Sequence, residues 1–319
     1  MRAIIFTFIL SLSAQLSAET YTDMLFLEIR NDAFGVVSSD RHLTNSVSLG
    51  YMTEEIPEFL ERYFERNGQN LFTVSLNQNM YTPEDIESSS LIEDDRPYAG
   101  WLFVRSSVSN RQGNNLSLYG VEAGVVGPAA LAEQAQTYVH KITDSRDPRG
   151  WDNQLDNEFG FNVYHHRAQN QRWETGPLEQ EIIYHGGASV GNVATYAEVG
   201  SYYRIGYNMP DDMIIGSKDE ASWTLRKEDP EYKKPFAAYL FTHVNGRYVL
   251  RDIFLDGNTF QDSHSVDKKN FVASSTAGVI LEFRNFELGY TYTVTSEQFE
   301  GQDGPDVRGL IVFAYKSSF

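Results

Sequence analysis

Gln136 and His140 are two polar residues that could act at one site, and the histidine is of a type that can transfer a proton. They stand four residues apart in an alanine-rich segment, 128–142, which begins with a proline at a plausible first helical position. Residues at this spacing lie on one face of a helix. A histidine is the usual side chain that takes a proton from water near neutral pH. The same pair would also suit a plain helix whose polar face lies in solvent.

A second candidate chemistry rests on Ser189. Residues 187–191 read Gly-Ala-Ser-Val-Gly and match the G-x-S-x-G motif of serine nucleophiles, which requires a sharp turn from a strand into a helix. The residues that follow, 192–208, alternate between apolar and polar like another strand. The sequence therefore predicts that Ser189 lies at the end of a strand and is not a nucleophile.

Strands are predicted for most of the chain, because apolar and polar side chains alternate at period 2 in twelve segments. Such alternation is typical of a transmembrane barrel with lipid outside and a polar lumen. The segments are 23–32, 43–53, 70–81, 98–109, 114–126, 157–168, 178–190, 192–208, 235–254, 268–284, 285–298 and 307–319. The predicted fold class is all-β, a transmembrane antiparallel β-barrel of twelve strands with one short helix, 128–142, near the outer rim. Short links such as 191–192 and long links such as 209–234 are expected at opposite rims.

Composition and the two chain ends support an exported membrane protein. The chain has 319 residues, no cysteine and a formal charge of −18, which excludes a disulfide scaffold and a Cys nucleophile and argues against a nucleic-acid partner. Residues 1–18 have the charged, apolar and small-residue order of a signal peptide. Residues 19–319 are then expected to form one domain in the bacterial outer membrane. The terminal Phe319 resembles the recognition signal of outer-membrane proteins.

Several motifs in consistent order resemble the outer-membrane lipid A 3'-O-deacylase family. They cover most of residues 24–165 and are more specific together than any one motif alone. The matching stretches are 28–35 (EIRNDAFG), 40–45 (DRHLTN), 78–83 (QNMYTP), 94–101 (DDRPYAGW), 127–128 (GP), 136–140 (QTYVH) and 150–154 (GWDNQ).

This resemblance implies a calcium-dependent carboxylester hydrolase that removes the 3'-linked acyloxyacyl chain of lipid A. It implies His140 as the general base that activates water, Gln136 and Thr44 as further catalytic residues, and Asp32 and Asn31 at a Ca²⁺ ion. A carboxylate and an amide oxygen are hard ligands of the kind that Ca²⁺ prefers. The implied partners are lipid A or lipopolysaccharide and outer-membrane lipid, with no nucleic acid, and the expected state is a monomer.

The alternation of side chains along a strand also predicts which way the candidate site residues point. Thr44 shares parity with the polar Ser46 and Ser48, so its side chain is expected to face the lumen together with that of Asp32. Asn31 and Asp32 are sequence neighbours, which places them on opposite faces of an ideal strand. Both can reach one ion only if the strand ends or bulges there.

Phosphate recognition and the enzyme class each leave alternatives. The segment 84–95 is acidic and has no lysine, so bridging cations, a less phosphorylated lipid, or basic side chains could serve the phosphates. The candidate basic residues are Arg96, Lys218, Arg226, Lys227, Lys233 and Lys234.

The alternatives to lipid A deacylation are an outer-membrane phospholipase-type Ser/His esterase and a non-enzymatic, porin-like barrel.

Overall fold

The computed structural model describes residues 23–31, 42–64, 68–217, 220–223 and 235–317. The predicted signal peptide, Asp32 and Phe319 lie outside these residues, as do the basic residues 218, 226, 227, 233 and 234.

Alternating segments form the predicted strands. The described strands are β1 Asp23–Asn31, β2 His42–Thr53, β3 Gln69–Thr82, β4 Ala99–Gln112, β5 Asn115–Val126, β6 Glu158–Thr175, β7 Leu178–Gly191, β8 Ala194–Tyr207, β9 Ile214–Ser217, β10 Glu220–Trp223, β11 Phe236–Asp252, β12 Phe271–Phe283, β13 Phe286–Thr295 and β14 Asp306–Ser317. All except β9 and β10 join one closed antiparallel barrel, and β1 pairs with β14 to close it. The predicted twelve-stranded barrel is confirmed, while the small β9–β10 hairpin has no counterpart in the period-2 prediction.

The strand directions define two rims. The terminal rim holds the start of β1 and the end of β14, together with the tight turns 113–114, 176–177 and 284–285. The helix rim holds the opposite strand ends. Links 192–193 and 208–235 lie at opposite rims, as expected. A division of all links by length is wrong, because the tight links 192–193 and 284–285 lie at different rims and the long link 208–235 lies at the rim of the tight turns. The rim at which a link lies is decided by the up-and-down direction of the strands that it joins, and not by the length of the link.

Helices are few and short. They are α1 Glu58–Glu61, α2 Ala132–Thr143 and α3 Ile253–Asp256, with 3₁₀ turns at Pro128–Ala130 and Trp151–Asn153. The single helix predicted over 128–142 is divided at Leu131, whose φ of 59° is left-handed and interrupts the helical path. Among the described residues, no helix has the length and apolar character needed to cross a membrane.

The lumen contains basic side chains that pair with carboxylates from nearby strands or loops. Such pairing compensates charges that the barrel wall removes from bulk water. Examples are Arg105–Glu122 (Nε to Oε1, 2.9 Å), Arg204–Asp212 (Nη1 to Oδ1, 2.6 Å), Arg247–Glu198 (Nη2 to Oε2, 2.9 Å) and Lys316–Glu287 (Nζ to Oε2, 3.1 Å).

An aromatic stack crosses the mouth of the barrel at the helix rim. Phe254, on α3 after β11, lies on the ring of Tyr81 from β3, with centroids 3.9 Å apart and planes 18° apart. β3 and β11 stand on opposite sides of the barrel, so this contact crosses the mouth. Trp101 extends the buried cluster along β4. At the terminal rim, by contrast, a cavity of about 1050 Å³ opens among polar residues such as Glu54 and Arg172.

Candidate active site

Helix α2 packs against the outside of the barrel. On β3 and β4, Gln78, Met80 and Gly100 have the parity that faces away from the lumen, and all three meet the start of the helical segment. Gln78 Nε2 donates to the carbonyl oxygen of Ala130 at 2.7 Å, and Met80 packs with Ala132. A Cβ on Gly100 would lie 2.6 Å from the Cβ of Ala132, so only glycine allows so close an approach. The predicted helix near the rim is thus seated on the lipid-facing wall.

The same outward row reaches the candidate metal residue Asn31. Strand register pairs Asn31 with Asn45, Asn45 with Met80, and Met80 with Gly100. Directly paired residues share one face of an antiparallel sheet. Asn31 therefore lies on the outer face of the wall, in line with the residues that carry α2.

A β-bulge turns Thr44 to this face as well. The register shifts between Leu43 and Asn45, which leaves Thr44 as the extra residue. Its Oγ1 lies 2.6 Å from Oγ1 of Thr82, and Thr82 shares the outward parity of Met80. The expectation that Thr44 faces the lumen is wrong, because one inserted residue reverses the parity that the sequence pattern implies.

His140 is held in one tautomer. It lies on the buried side of α2, with 7% of its surface exposed. Its Nδ1 is 2.5 Å from the carbonyl oxygen of Arg146. A carbonyl oxygen only accepts, so Nδ1 carries the hydrogen and donates it. In the neutral ring, Nε2 then carries the lone pair, which is the state that a general base requires.

Gln136 lies one turn before His140 on the same buried side of the helix. The indole Nε1 of Trp151 donates to Gln136 Oε1 at 2.8 Å. An indole nitrogen only donates, so this contact fixes which end of the amide is oxygen. The other end, Nε2, is buried and has no hydrogen-bond partner among the described residues. The amide thus presents an N–H donor beside the wall.

Trp151 is itself held rigidly. It belongs to the buried cluster of Met80, Ile86, Tyr98 and Ala132, and its ring centroid is 4.9 Å from that of Tyr98. The Tyr98 hydroxyl donates to the Ile86 carbonyl at 3.1 Å, and burial raises the pKa of this hydroxyl above its ordinary value. The stretch 150–154 contains Trp151, but residue type and spacing do not indicate its contact with Gln136.

The oxygen donors near Asn31 suit a hard cation. The neighbouring side chains on the outer face are the amide of Asn45 and the hydroxyls of Thr44 and Thr82, all neutral oxygen groups of the kind that Ca²⁺ accepts. Within the described ranges, no three His, Cys, Asp or Glu side chains are grouped to hold a metal ion. Asp32, the carboxylate of the predicted pair, lies outside these ranges, and the calcium site stays a prediction.

Ser189 and Arg96 lie away from the helix-covered wall. Ser189 faces the lumen near the end of β7, donates from Oγ to the Ala194 carbonyl at 3.2 Å, and is followed by strand β8. The predicted strand-end position is confirmed. Arg96 is buried over the rings of Tyr81 and Phe299, at 5.6 and 5.7 Å, on the inner side of the mouth.

LpxR from Salmonella typhimurium shares the fold of this chain. It superposes with a TM-score of 0.77 at 16% identity, covering 92% of this chain and 99% of that one. The translocator domain of the autotransporter NalP from Neisseria meningitidis reaches a TM-score of 0.42 at 11% identity, over 92% of this chain and 88% of that one. No curated protein sequence matches the chain.

The family relationship covers almost the whole sequence. The sequence model described as outer membrane protein LpxR matches residues 3–317, which includes every barrel strand and the segment that forms α2. The protein is therefore located in the outer membrane. Three of the four two-residue turns of the barrel lie at the terminal rim, and short turns are periplasmic in such barrels, so the helix rim is the extracellular rim. The chain belongs to the LpxR family of outer-membrane proteins.

Proposed function

We propose that this protein is a lipid A 3'-O-deacylase that hydrolyses the ester of the 3'-linked acyloxyacyl chain. Membership of the LpxR family supports lipid A deacylation. The observation that carries the proposal is the position of His140 and Gln136 on the side of α2 that meets the outer wall. A lipid in the outer leaflet reaches that position laterally, without entering the lumen.

His140 acts as the general base. Its Nε2 takes a proton from a water molecule while the water oxygen attacks the ester carbonyl. Collapse of the tetrahedral intermediate then breaks the ester C–O bond, and the imidazolium returns the proton to the departing 3'-oxygen. The Arg146 carbonyl continues to accept from Nδ1 and favours the imidazolium that forms, because the positive charge strengthens this hydrogen bond. Proton transfer to a positioned side chain contributes about 10²–10⁴-fold to a rate.

Gln136 and Thr44 position the reacting groups. The Gln136 N–H donor is oriented by Trp151 and lies one helical turn from the base, which suits donation to the oxygen that becomes negative. Thr44 contributes a hydroxyl from the wall, and Thr82 restrains that hydroxyl. These donors are preorganised, so they need little rearrangement during the reaction.

Calcium completes the proposal. Asp32 and Asn31 would hold the ion, and the bound ion would supply positive charge to polarise the ester carbonyl. The placement of Asn31 on the same outer face as the helix-bearing row supports this assignment. It also removes the need for a lumen-facing site.

The two alternative functions have less support. A Ser/His esterase would need an exposed Ser189, which is buried and bonded to a backbone carbonyl in a strand–turn–strand context. A porin-like barrel would need an open lumen, whereas Phe254 and Tyr81 meet across the extracellular mouth.

Mass spectrometry of lipid A from cells with and without the protein tests the proposal. We expect loss of one 3'-acyloxyacyl unit when the wild-type protein is present and retention of that unit with His140→Ala. An unchanged lipid A profile with correctly assembled wild-type protein would contradict deacylation, and stoichiometric labelling by a serine-directed phosphonate would favour the esterase.

Chelation tests the metal separately. We expect excess chelator to abolish deacylation, Ca²⁺ to restore it, and Asp32→Asn to raise the Ca²⁺ concentration required while the barrel stays folded. Full activity in excess chelator would remove calcium from the mechanism and leave the role of His140 untouched.

A further inference from the structure

Helix α2 has three distinct faces. Each helical residue advances by about 100°, so Ala132, Gln136 and His140 form the side that meets the wall. One neighbouring side, the apolar face, carries three exposed residues: Tyr138 (67% exposed), Val139 (48%) and Ile142 (65%). The opposite neighbouring side, the polar face, consists of Glu133, Gln134, Thr137 and Lys141, all exposed. Apolar and polar exposure are thus segregated.

The helical segment begins below the rim, on the lipid side of the wall. The Ala130 carbonyl is bonded to Gln78, which stands four residues inside the end of β3 at Thr82. At the usual rise of a strand this is about 13 Å along β3. The helix therefore starts beside the part of the barrel that faces the outer leaflet.

The apolar wall continues beneath the helix. Leu76 on β3 and Val104 on β4 have the same outward parity as Gln78 and Gly100, and they are 54% and 48% exposed. Exposed apolar side chains on a barrel's outer face contact lipid. This lipid-facing band thus lies on the same two strands that carry the start of the helical segment.

We propose that the apolar face of α2 inserts into the hydrocarbon of the outer leaflet. A helix with separate apolar and polar faces lies in the membrane interface with its apolar side in the acyl region. Lipid is the occupant, rather than a second copy of the chain, because the adjoining wall is lipid-facing and a net charge of −18 opposes self-association. The insertion sets the depth of α2, and hence of His140, relative to lipid ester groups.

Single-cysteine labelling tests the insertion directly, because the chain has no cysteine of its own. Full-length Val139→Cys, Ile142→Cys and, as the matched control on the polar face, Thr137→Cys would each carry an environment-sensitive fluorophore in phospholipid vesicles. We expect spin-labelled acyl chains to quench the probes at 139 and 142 severalfold more than the probe at 137. Equal quenching at the three positions, or none, would overturn the proposal.

Dilution distinguishes lipid from a second copy of the protein. If lipid covers the apolar face, quenching at 139 and 142 stays constant as the protein-to-lipid ratio falls. Quenching that rises on dilution would show that another protein molecule covers the face, and this outcome also overturns the proposal.

An activity measurement links the contact to catalysis and rests on the proposed function. We expect a Val139→Ser/Ile142→Ser double variant to deacylate lipid A in bilayers about tenfold more slowly, because buried apolar area sets the strength of interfacial binding, yet to match wild type on detergent-dispersed lipid A. Equal loss in both media would contradict a docking role. The quenching measurement needs no turnover, so failure of the proposed function would leave it valid.

Discussion

The two faces of the barrel wall use polar residues in opposite ways. In the lumen, Arg204 is fully buried and donates to both Glu181 and Asp212, so its charge is compensated on several sides. On the outer face, Gln136 and His140 each make one hydrogen bond that orients the group. The amide nitrogen of Gln136 and the Nε2 of His140 take no part in these two hydrogen bonds. Compensated groups support the barrel, whereas oriented groups with a spare donor or acceptor suit catalysis.

We expect substitution of His140 on the outer side to lower the deacylation rate more than any substitution in the lumen. We expect His140→Ala to lower the deacylation rate by about 10³-fold, because the proton acceptor is lost, while heat-modifiable migration in gels shows a folded barrel. Ser189→Ala, a lumen-facing control, should keep wild-type activity. Near-normal activity of the His140 variant would refute its assignment as the base.

Gly100 tests whether the seating of α2 on the wall matters. In Gly100→Ala, the new Cβ meets the Cβ of Ala132 at 2.6 Å and must displace the helix. We expect a rate loss of about 10²-fold, since a small misplacement of catalytic groups has effects of this size. Gly246→Ala, where the nearest atom would be at 3.5 Å, is the matched outward-facing control and should show little change in the deacylation assay.

Trp151 tests the orientation of the Gln136 amide. We expect Trp151→Phe to lower kcat about tenfold with little change in KM, less than the ~10²-fold effect of removing a transition-state donor itself. Trp101→Phe is the control, because the Trp101 Nε1 is buried and has no partner among the described residues. In a Gln136→Ala background, Trp151→Phe should have no further effect; an additive loss would mean that Trp151 acts only on packing.

Arg204 provides the converse case and the smallest expected effect on catalysis. Arg204→Met leaves Glu181 and Asp212 without their cation, so we expect the unfolding free energy to fall by about 3 kcal/mol while turnover per folded molecule stays unchanged. Unfolding in urea followed by the heat-modifiable gel shift measures this, with the exposed Arg284→Met as control. A catalytic loss without a stability loss would erase the distinction between the two faces.

Most of the barrel can be predicted from the sequence, because period-2 alternation follows directly from lipid on one face of each strand and a polar lumen on the other. The strand count and the antiparallel closure follow from it. The segment ends differ from the prediction: the pattern predicts that β6 stops at 168, but the strand continues to Thr175 through residues that are polar except Trp173 and still pair with β7. The alternation marks the part of a strand that contacts lipid, whereas the hydrogen-bonded strand extends beyond that part.

The site is harder to predict, because its geometry depends on interruptions of the pattern. The bulge at Thr44 reverses the direction in which this side chain points, and no residue type in the segment marks the position of the bulge. The place where α2 covers the wall does leave a signal: Gln78 is polar on the lipid-facing parity of β3, and Met80, two residues later, lies opposite the small Gly100. The role of Trp151 depends on a contact between the 3₁₀ turn at 151–153 and α2, and it could come only from the structure.

The aromatic stack at the extracellular mouth has a consequence for the cell that carries this protein. Phe254 lies against Tyr81 across the extracellular mouth, while the cavity among polar residues lies at the terminal rim. The contact narrows the passage that a small hydrophilic antibiotic or nutrient would need to cross the barrel. It therefore opposes leakage through the outer membrane of a cell that carries many copies of the protein.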